Sequence, residues 1–187
     1  MTYKRWLFAA IFLFGIGFGG GLILGLTNTD VTAGLFAEDV TALEEFASLL
    51  TSLPQSSVFI FIFIKNISAV LISFALSPIF CLVPVVALII NGGLLGFVSV
   101  LVIQEKSLGY LLAGLLPHGI FELPALIIGE AVALSFGTAM LLALLRKERR
   151  SQLLPNLRQN LRYLIVALAL LLPAAIIETY ITPLLLR

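Results

Sequence analysis

The feature that most constrains this chain is a series of apolar runs, each long enough to cross a lipid bilayer. The hydrocarbon core of a bilayer is about 30 Å thick and takes about 20 helical residues. The runs of this length cover residues 6–26, 58–76, 79–103, 108–145 and 163–186. Since 60% of the residues are apolar and only 11% are charged, a soluble globular protein is excluded. We predict an all-α, polytopic transmembrane helical bundle with five spans, forming a single transmembrane domain over residues 1–187.

The fourth run is anomalous because it is too long for one crossing. Its roughly 38 residues would extend about 57 Å as a single helix. It also contains Pro117, Gly119 and Pro124, and proline in a helix interior removes a hydrogen bond and kinks or breaks the helix. We therefore predict a broken fourth helix, with a short half-helix over 108–116 and the actual crossing over 120–145.

The charged residues between the runs predict the orientation, because Lys and Arg concentrate in cytoplasmic loops. Lys4 and Arg5 precede the first run, and six basic residues lie in 146–162. The segment 27–57 has acidic residues but no Lys or Arg. We expect a multi-pass protein of the cell membrane with a cytoplasmic N-terminus, an extracellular segment 27–57, a cytoplasmic basic loop 146–162 and an external C-terminus.

The segment 27–57 also has a helical apolar pattern. Phe36, Val40, Leu43, Ala47 and Leu50 recur at spacings of four and three, which is typical of one face of a helix. The segment predicts an outer amphipathic helix. We expect this helix to lie on the outer interface or to pack over the bundle, and docking to a partner is the less favoured alternative. Because it has no basic face to attract anionic lipid, packing on protein is favoured over lipid binding.

The glycines of the first run suggest close helix packing. Gly15 with Gly19 and Gly17 with Gly21 have the GxxxG spacing, which lets two helix backbones approach closely. Packing within the chain and a homodimer interface both remain open. A nucleotide-binding role is excluded because no strand precedes the glycines, and nothing indicates nucleic acid as a partner.

Polar residues inside the apolar runs are the candidate functional site. Ionised groups in hydrocarbon cost several kcal/mol, so they face one another or a wet cavity. The residues concerned are Lys65, Asn66, Asn91, His118, Glu122, Glu130 and Glu178. His118 and Glu122 are four residues apart, which places them on one helix face. We expect the set to share one interior pocket near the break at Pro117.

Three interpretations of this polar set stay open. It forms a structural core that fixes helix register, a path for protons, ions or a small solute, or a metal-dependent intramembrane hydrolase. The last is weakly indicated: His118 and Glu122 would supply two metal ligands, whereas a catalytic zinc normally takes three protein ligands. The chain has one histidine and no HExxH motif. We assign no catalytic residue and no cofactor.

Four blocks occur in this order: Lys65-Asn66, Asn91-Gly92-Gly93-Leu94-Leu95-Gly96, Leu116-Pro117-His118-Gly119-Ile120-Phe121-Glu122-Leu123-Pro124 and Ile177-Glu178-Thr179-Tyr180-Ile181-Thr182-Pro183. In this they resemble the stage II sporulation protein M family. The PHGxxE block is the most specific of them. The resemblance implies an all-helical integral membrane protein with Asn66, Asn91, Gly92, Gly96, His118, Gly119, Glu122 and Glu178 at motif positions. Glu130 has no place in that pattern.

The resemblance also implies a role. The family's named member works in spore-forming bacteria with two peptidoglycan-degrading partners in septum remodelling, and homologues occur in organisms that never sporulate. We therefore expect a non-enzymatic scaffold or anchor in membrane or envelope remodelling, embedded in the lipid bilayer, with protein partners and a homodimeric state. A transporter or channel-like protein is the alternative.

Overall fold

The computed structural model describes residues 3–27, 53–79 and 82–186, and within these ranges the chain is helical with no strand. The helices are α1 (Tyr3–Thr27), α2 (Gln55–Leu76), α3 (Leu82–Glu105), α4 (Leu108–Leu145), α5 (Leu153–Ile176) and α6 (Thr182–Leu185). A 3₁₀ helix (Lys147–Gln152) connects α4 to α5, and a π-helix (Ile177–Ile181) connects α5 to α6.

Within the described residues, five helical segments are long and apolar enough to cross a membrane. Four are α1 to α4, and the fifth is the stretch Lys147–Leu185. The predicted all-α bundle with five spans is confirmed. Four boundaries of the first three spans move by two or three residues, and the fifth helix is longer than predicted because the segment 146–162 is itself helical from Lys147 onward. The predicted amphipathic helix falls on residues 28–52, which lie outside the described residues.

The predicted break in the fourth helix is wrong. Helix α4 runs continuously for 38 residues with Pro117 and Pro124 inside it, and Gly119 is helical as well. A proline removes one backbone hydrogen bond, whereas a full break would leave several backbone groups unpaired, each at a cost of several kcal/mol in hydrocarbon. A continuous helix therefore costs less free energy in the membrane than a broken one. At about 57 Å, α4 must tilt or extend beyond the membrane core.

Helix α1 packs along α3, and α4 packs between α5 and the remaining helices. The most buried stretch of α4, from Gly129 to Ser135, consists mainly of small residues. One core cluster contains Val70, Val132 and Leu171, and a second contains Ala10, Leu88 and Leu134. These clusters hold the helices that carry the polar residues described below.

Glycines bring the backbones of α1 and α3 into contact. A Cβ atom at Gly17 or Gly21 would overlap the backbone of Ile89 or Gly93, and one at Gly96 would overlap the backbone of Phe18. Gly17 and Gly21 therefore pack within the chain, which is one of the two alternatives left open by the sequence. A Cβ at Gly15 or Gly19, by contrast, would meet no atom of the described residues within 4 Å.

Candidate functional site

The centre of the candidate site is a group of three ionisable side chains from two helical segments. His118 and Glu122 come from α4, and Glu178 comes from the π-helix that follows α5. One side-chain nitrogen or oxygen of each lies within 4.8 Å of the others. The Nε2 atom of His118 is 3.8 Å from Oε2 of Glu122. We call these three residues the central triad.

Helix α4 supplies two members of the triad because positions i and i+4 lie on the same helix face, one turn apart. The continuity of α4 through Pro117 keeps His118 and Glu122 in this register. The predicted pairing of these two side chains therefore arises from an intact helix. The predicted helix break at Pro117 is not needed for it.

The third member, Glu178, depends on the π-helix Ile177–Ile181. The Thr182 amide donates its hydrogen bond to the carbonyl of Ile177, five residues back instead of four. Pro183, the next residue, has no amide hydrogen, and its ring would clash with the carbonyl of Thr179 in a regular α-helix. The wider turn relieves this clash, and such turns are frequently found at functional sites.

Two polar side chains hold the outer atoms of the triad. The Asn66 amide on α2 donates a hydrogen bond from Nδ2 to Oε1 of Glu122 at 3.2 Å. On the other side, Nδ1 of His118 lies 3.3 Å from the Thr182 hydroxyl and shares a hydrogen bond with it. Both contacts leave the inner atoms, His118 Nε2 and Glu122 Oε2, facing each other.

The triad lies deep in the bundle but is not sealed. Asn66 is near the middle of α2, about 16 Å along the axis from Gln55 at 1.5 Å per residue. The His118 side chain is 13% exposed and that of Glu122 is 33% exposed. Glu122 lines a groove of about 240 Å³ between α3 and α4, together with Phe14, Asn91, Leu94, Leu115 and Leu123.

Lys65 and Asn91 relate to the triad less directly. The positive charge of Lys65 acts on the carboxyl groups of both Glu122 and Glu178. Asn91 shares the groove with Glu122, but its amide donates to the carbonyl of Ala87 in its own helix at 2.8 Å. Asn91 therefore borders the same groove as Glu122 and has no hydrogen bond to the triad among the described residues.

Glu130 is outside the triad, so the expectation that all the polar residues share one pocket is wrong at this position. Its side chain is 2% exposed and accepts a hydrogen bond from the Ser73 hydroxyl of α2 at 2.5 Å. Glu130 follows Glu122 by eight residues, about 12 Å along α4. The hydrogen bond between Ser73 and Glu130 therefore links α2 to α4 at a different height along the helices from the triad.

The sequence analysis assigned no role to three polar groups near the sites. Thr182 orients His118, and the dipeptide Thr182-Pro183 one turn after Glu178 is the signal that could have identified it. Thr179 is 3% exposed, and its hydroxyl has no hydrogen-bond partner within the described ranges. Ser73, the partner of Glu130, had no sequence signal because serine is common in membrane helices.

Comparison with known proteins places the chain in a family. Residues 8–183 match the family described as Stage II sporulation protein M. The chain belongs to this family. A protein of Methanocaldococcus jannaschii, described as uncharacterized, is 29% identical over 120 residues, which cover 64% of this chain and 67% of that protein. No solved structure matches the chain.

The match includes the whole of α2, α3 and α4, and all three triad residues lie inside it. This Stage II sporulation protein M family member is therefore a multi-pass membrane protein whose matched region contains a polar interior cluster. The resemblance drawn from the PHGxxE block is confirmed. The glycines at its other motif positions, Gly92 and Gly96, lie at the contact with α1.

Proposed function

We propose that this protein is a membrane transport protein that moves a proton or an inorganic cation through the site formed by His118, Glu122 and Glu178. The observation that supports the proposal is the convergence of these side chains inside a five-span bundle, with ligating atoms within 4.8 Å of one another. Two carboxyl groups in hydrocarbon are costly unless a cation or proton compensates them. A site of this kind binds a cation in one state and releases it in another.

The exposure of Glu122 favours transport over a purely structural core. A structural polar core is stabilised when its members satisfy one another away from solvent. Glu122 is instead one-third exposed and lines the groove between α3 and α4. A carboxyl group in this position can exchange a proton or a cation with the groove.

The proposal is tested by reconstitution. The purified full chain is placed in liposomes, and flux is followed with a pH-sensitive dye and with dyes sensitive to inorganic cations. We expect flux of a proton or a cation above that of empty liposomes when a gradient is imposed. Liposomes that behave like empty ones for protons and for every cation tested would remove the transport proposal.

Membership in the Stage II sporulation protein M family favours a second candidate, an anchor for proteins that remodel the membrane or cell envelope. An anchor needs the fold and an exposed surface, and it needs no conduction through the polar site. Homodimerisation would use the face of α1 at Gly15 and Gly19, where no atom of the described residues lies within 4 Å of an added Cβ, so that a second helix could approach closely. Reduced self-association of Gly19→Leu in detergent would support that dimer.

The proposed orientation has a cytoplasmic N-terminus and an external segment 28–52, in keeping with the positive-inside rule. Cys81 is the single cysteine of the chain, so a Cys81→Ser background gives a clean labelling experiment. In that background we expect Glu44→Cys to react with a membrane-impermeant thiol reagent from outside, and Arg149→Cys only after the membrane is opened. Labelling of both positions from the same side would contradict the orientation.

A further inference from the structure

We propose that the central triad binds a divalent transition-metal cation of the Zn²⁺ or Mn²⁺ type. The inference rests on the proposed cation site and names the class of cation. It is supported by the arrangement of the triad and by the two side chains that hydrogen-bond to it, Asn66 and Thr182.

The distances in the triad suit a metal ion after a small contraction. Zinc binds His nitrogen and Glu oxygen at about 2.0–2.2 Å, so neighbouring ligand atoms in a tetrahedral site are about 3.4 Å apart. The His118 and Glu122 atoms are already 3.8 Å apart, and all three ligand atoms lie within 4.8 Å of one another. The proposal therefore requires the two glutamate side chains to rotate so that the three ligand atoms move closer together.

The hydrogen bonds behind the triad leave the correct atoms available. A metal on Nε2 of His118 requires the proton on Nδ1, and the Thr182 hydroxyl lies 3.3 Å from Nδ1 to accept it. Asn66 donates to the outer oxygen of Glu122, which leaves Oε2 directed at His118. Hydrogen bonds of this kind to the ligating side chains are typical of metal sites, where they fix the tautomer of the histidine and the orientation of the ligands.

The ligand set selects the class of metal. Mg²⁺ and Ca²⁺ prefer oxygen ligands throughout, whereas one imidazole with two carboxylates suits Zn²⁺ and Mn²⁺. Three protein ligands leave a coordination position for water or a solute. Glu122 borders the groove, so this position is accessible. The positive charge of Lys65, which acts on both glutamates, competes with the metal.

The test measures binding and uses no flux assay. Full-length protein, purified in detergent without a histidine tag, is titrated with Zn²⁺ and Mn²⁺ by calorimetry, with Mg²⁺ for comparison. We expect one Zn²⁺ or Mn²⁺ ion per chain, bound more tightly than Mg²⁺. His118→Ala and Glu178→Gln should weaken binding at least 100-fold. Glu130→Gln, which alters a buried carboxyl on α4 outside the triad, should bind like the unmodified protein.

Two milder variants keep the proposal testable if a ligand variant does not fold. Thr182→Val removes the acceptor behind His118 and should weaken metal binding roughly 10- to 100-fold, the usual effect of losing such a contact. Lys65→Met removes the competing charge and should tighten binding. Both changes leave the triad itself intact.

Absence of Zn²⁺ and Mn²⁺ binding, or equal affinity in His118→Ala, would overturn the metal proposal. Proton flux that depends on Glu122 in a protein without metal binding would overturn it while leaving the transport proposal standing. Stoichiometric metal binding in a protein that supports no flux would support the metal site and remove the transport proposal. The two failures are therefore distinguishable.

Discussion

Replacement of Glu122 by Gln is expected to reduce cation or proton flux to the level of empty liposomes while the protein stays folded. Glutamine has nearly the shape of glutamate, and its side-chain oxygen can still accept the hydrogen bond from Asn66 that Glu122 accepts now. It has no charge and does not exchange a proton in this pH range. The change therefore removes the charge and the exchangeable proton that transport needs, and it alters the packing little.

The stability of the Glu122→Gln variant shows whether a loss of flux can be attributed to the carboxyl group, because a variant that unfolds would lose flux for another reason. Loss or distortion of the contact with His118 costs about 1–3 kcal/mol at most, which thermal unfolding in detergent measures. The control is Glu105→Gln, which makes the same chemical change at an exposed position near the end of α3. Flux in Glu122→Gln equal to that of the control would contradict a transport role for this carboxyl.

The spans were predictable from sequence because the bilayer imposes a strong local rule. A helix in hydrocarbon needs about 20 apolar residues in succession, and this requirement is visible without knowing any contact between helices. The start of α5 at Leu153 was not visible in this way. The residues 153–162 are polar or charged in part, and they are helical because they continue a helix beyond the apolar run.

The continuity of α4 was not predicted because the effect of proline was judged as it would be for a helix in water. In water, a broken helix exposes backbone groups that solvent can satisfy, so proline often ends a helix. In hydrocarbon those groups have no partner, and the helix continues through Pro117 and Pro124. The position of His118 and Glu122 on one helix face was predictable from their four-residue spacing, and the continuous helix preserves that spacing.

The membership of the polar cluster was only partly predictable. Their positions within the apolar runs identified Asn66, Glu122 and Glu178 as unusual. Position along a helix, however, does not determine how that helix is rotated about its own axis relative to its neighbours. That rotation pairs Glu130 with Ser73 and leaves it outside the triad. The π-helix that carries Glu178 depends on a single extra residue in the turn before Pro183, which has no periodic signal in the sequence.

Replacement of Gly21 by Leu is expected to destabilise the fold by about 3 kcal/mol or more, at or above the upper end of ordinary overpacking. A Cβ at this position would overlap the backbone of Gly93 and of Phe97 on α3. Flexible side chains can move aside, but two helix backbones must separate. The separation would disrupt the contact along the whole α1–α3 pair, where Gly17 and Gly96 are equally close to the opposite helix.

The matched control for this prediction is Gly19→Leu, the same substitution two residues away on α1. No atom of the described residues lies within 4 Å of a Cβ at Gly19, so we expect its stability to change by no more than about 0.5 kcal/mol, as for most surface substitutions. Chemical or thermal unfolding in detergent compares the two variants. Equal destabilisation of both would show that an effect common to the two positions, such as altered lipid contact, decides the outcome, and would contradict the close α1–α3 contact. Because Leu is the better helix former, a large loss at Gly21 alone can arise only from the contact between the helices.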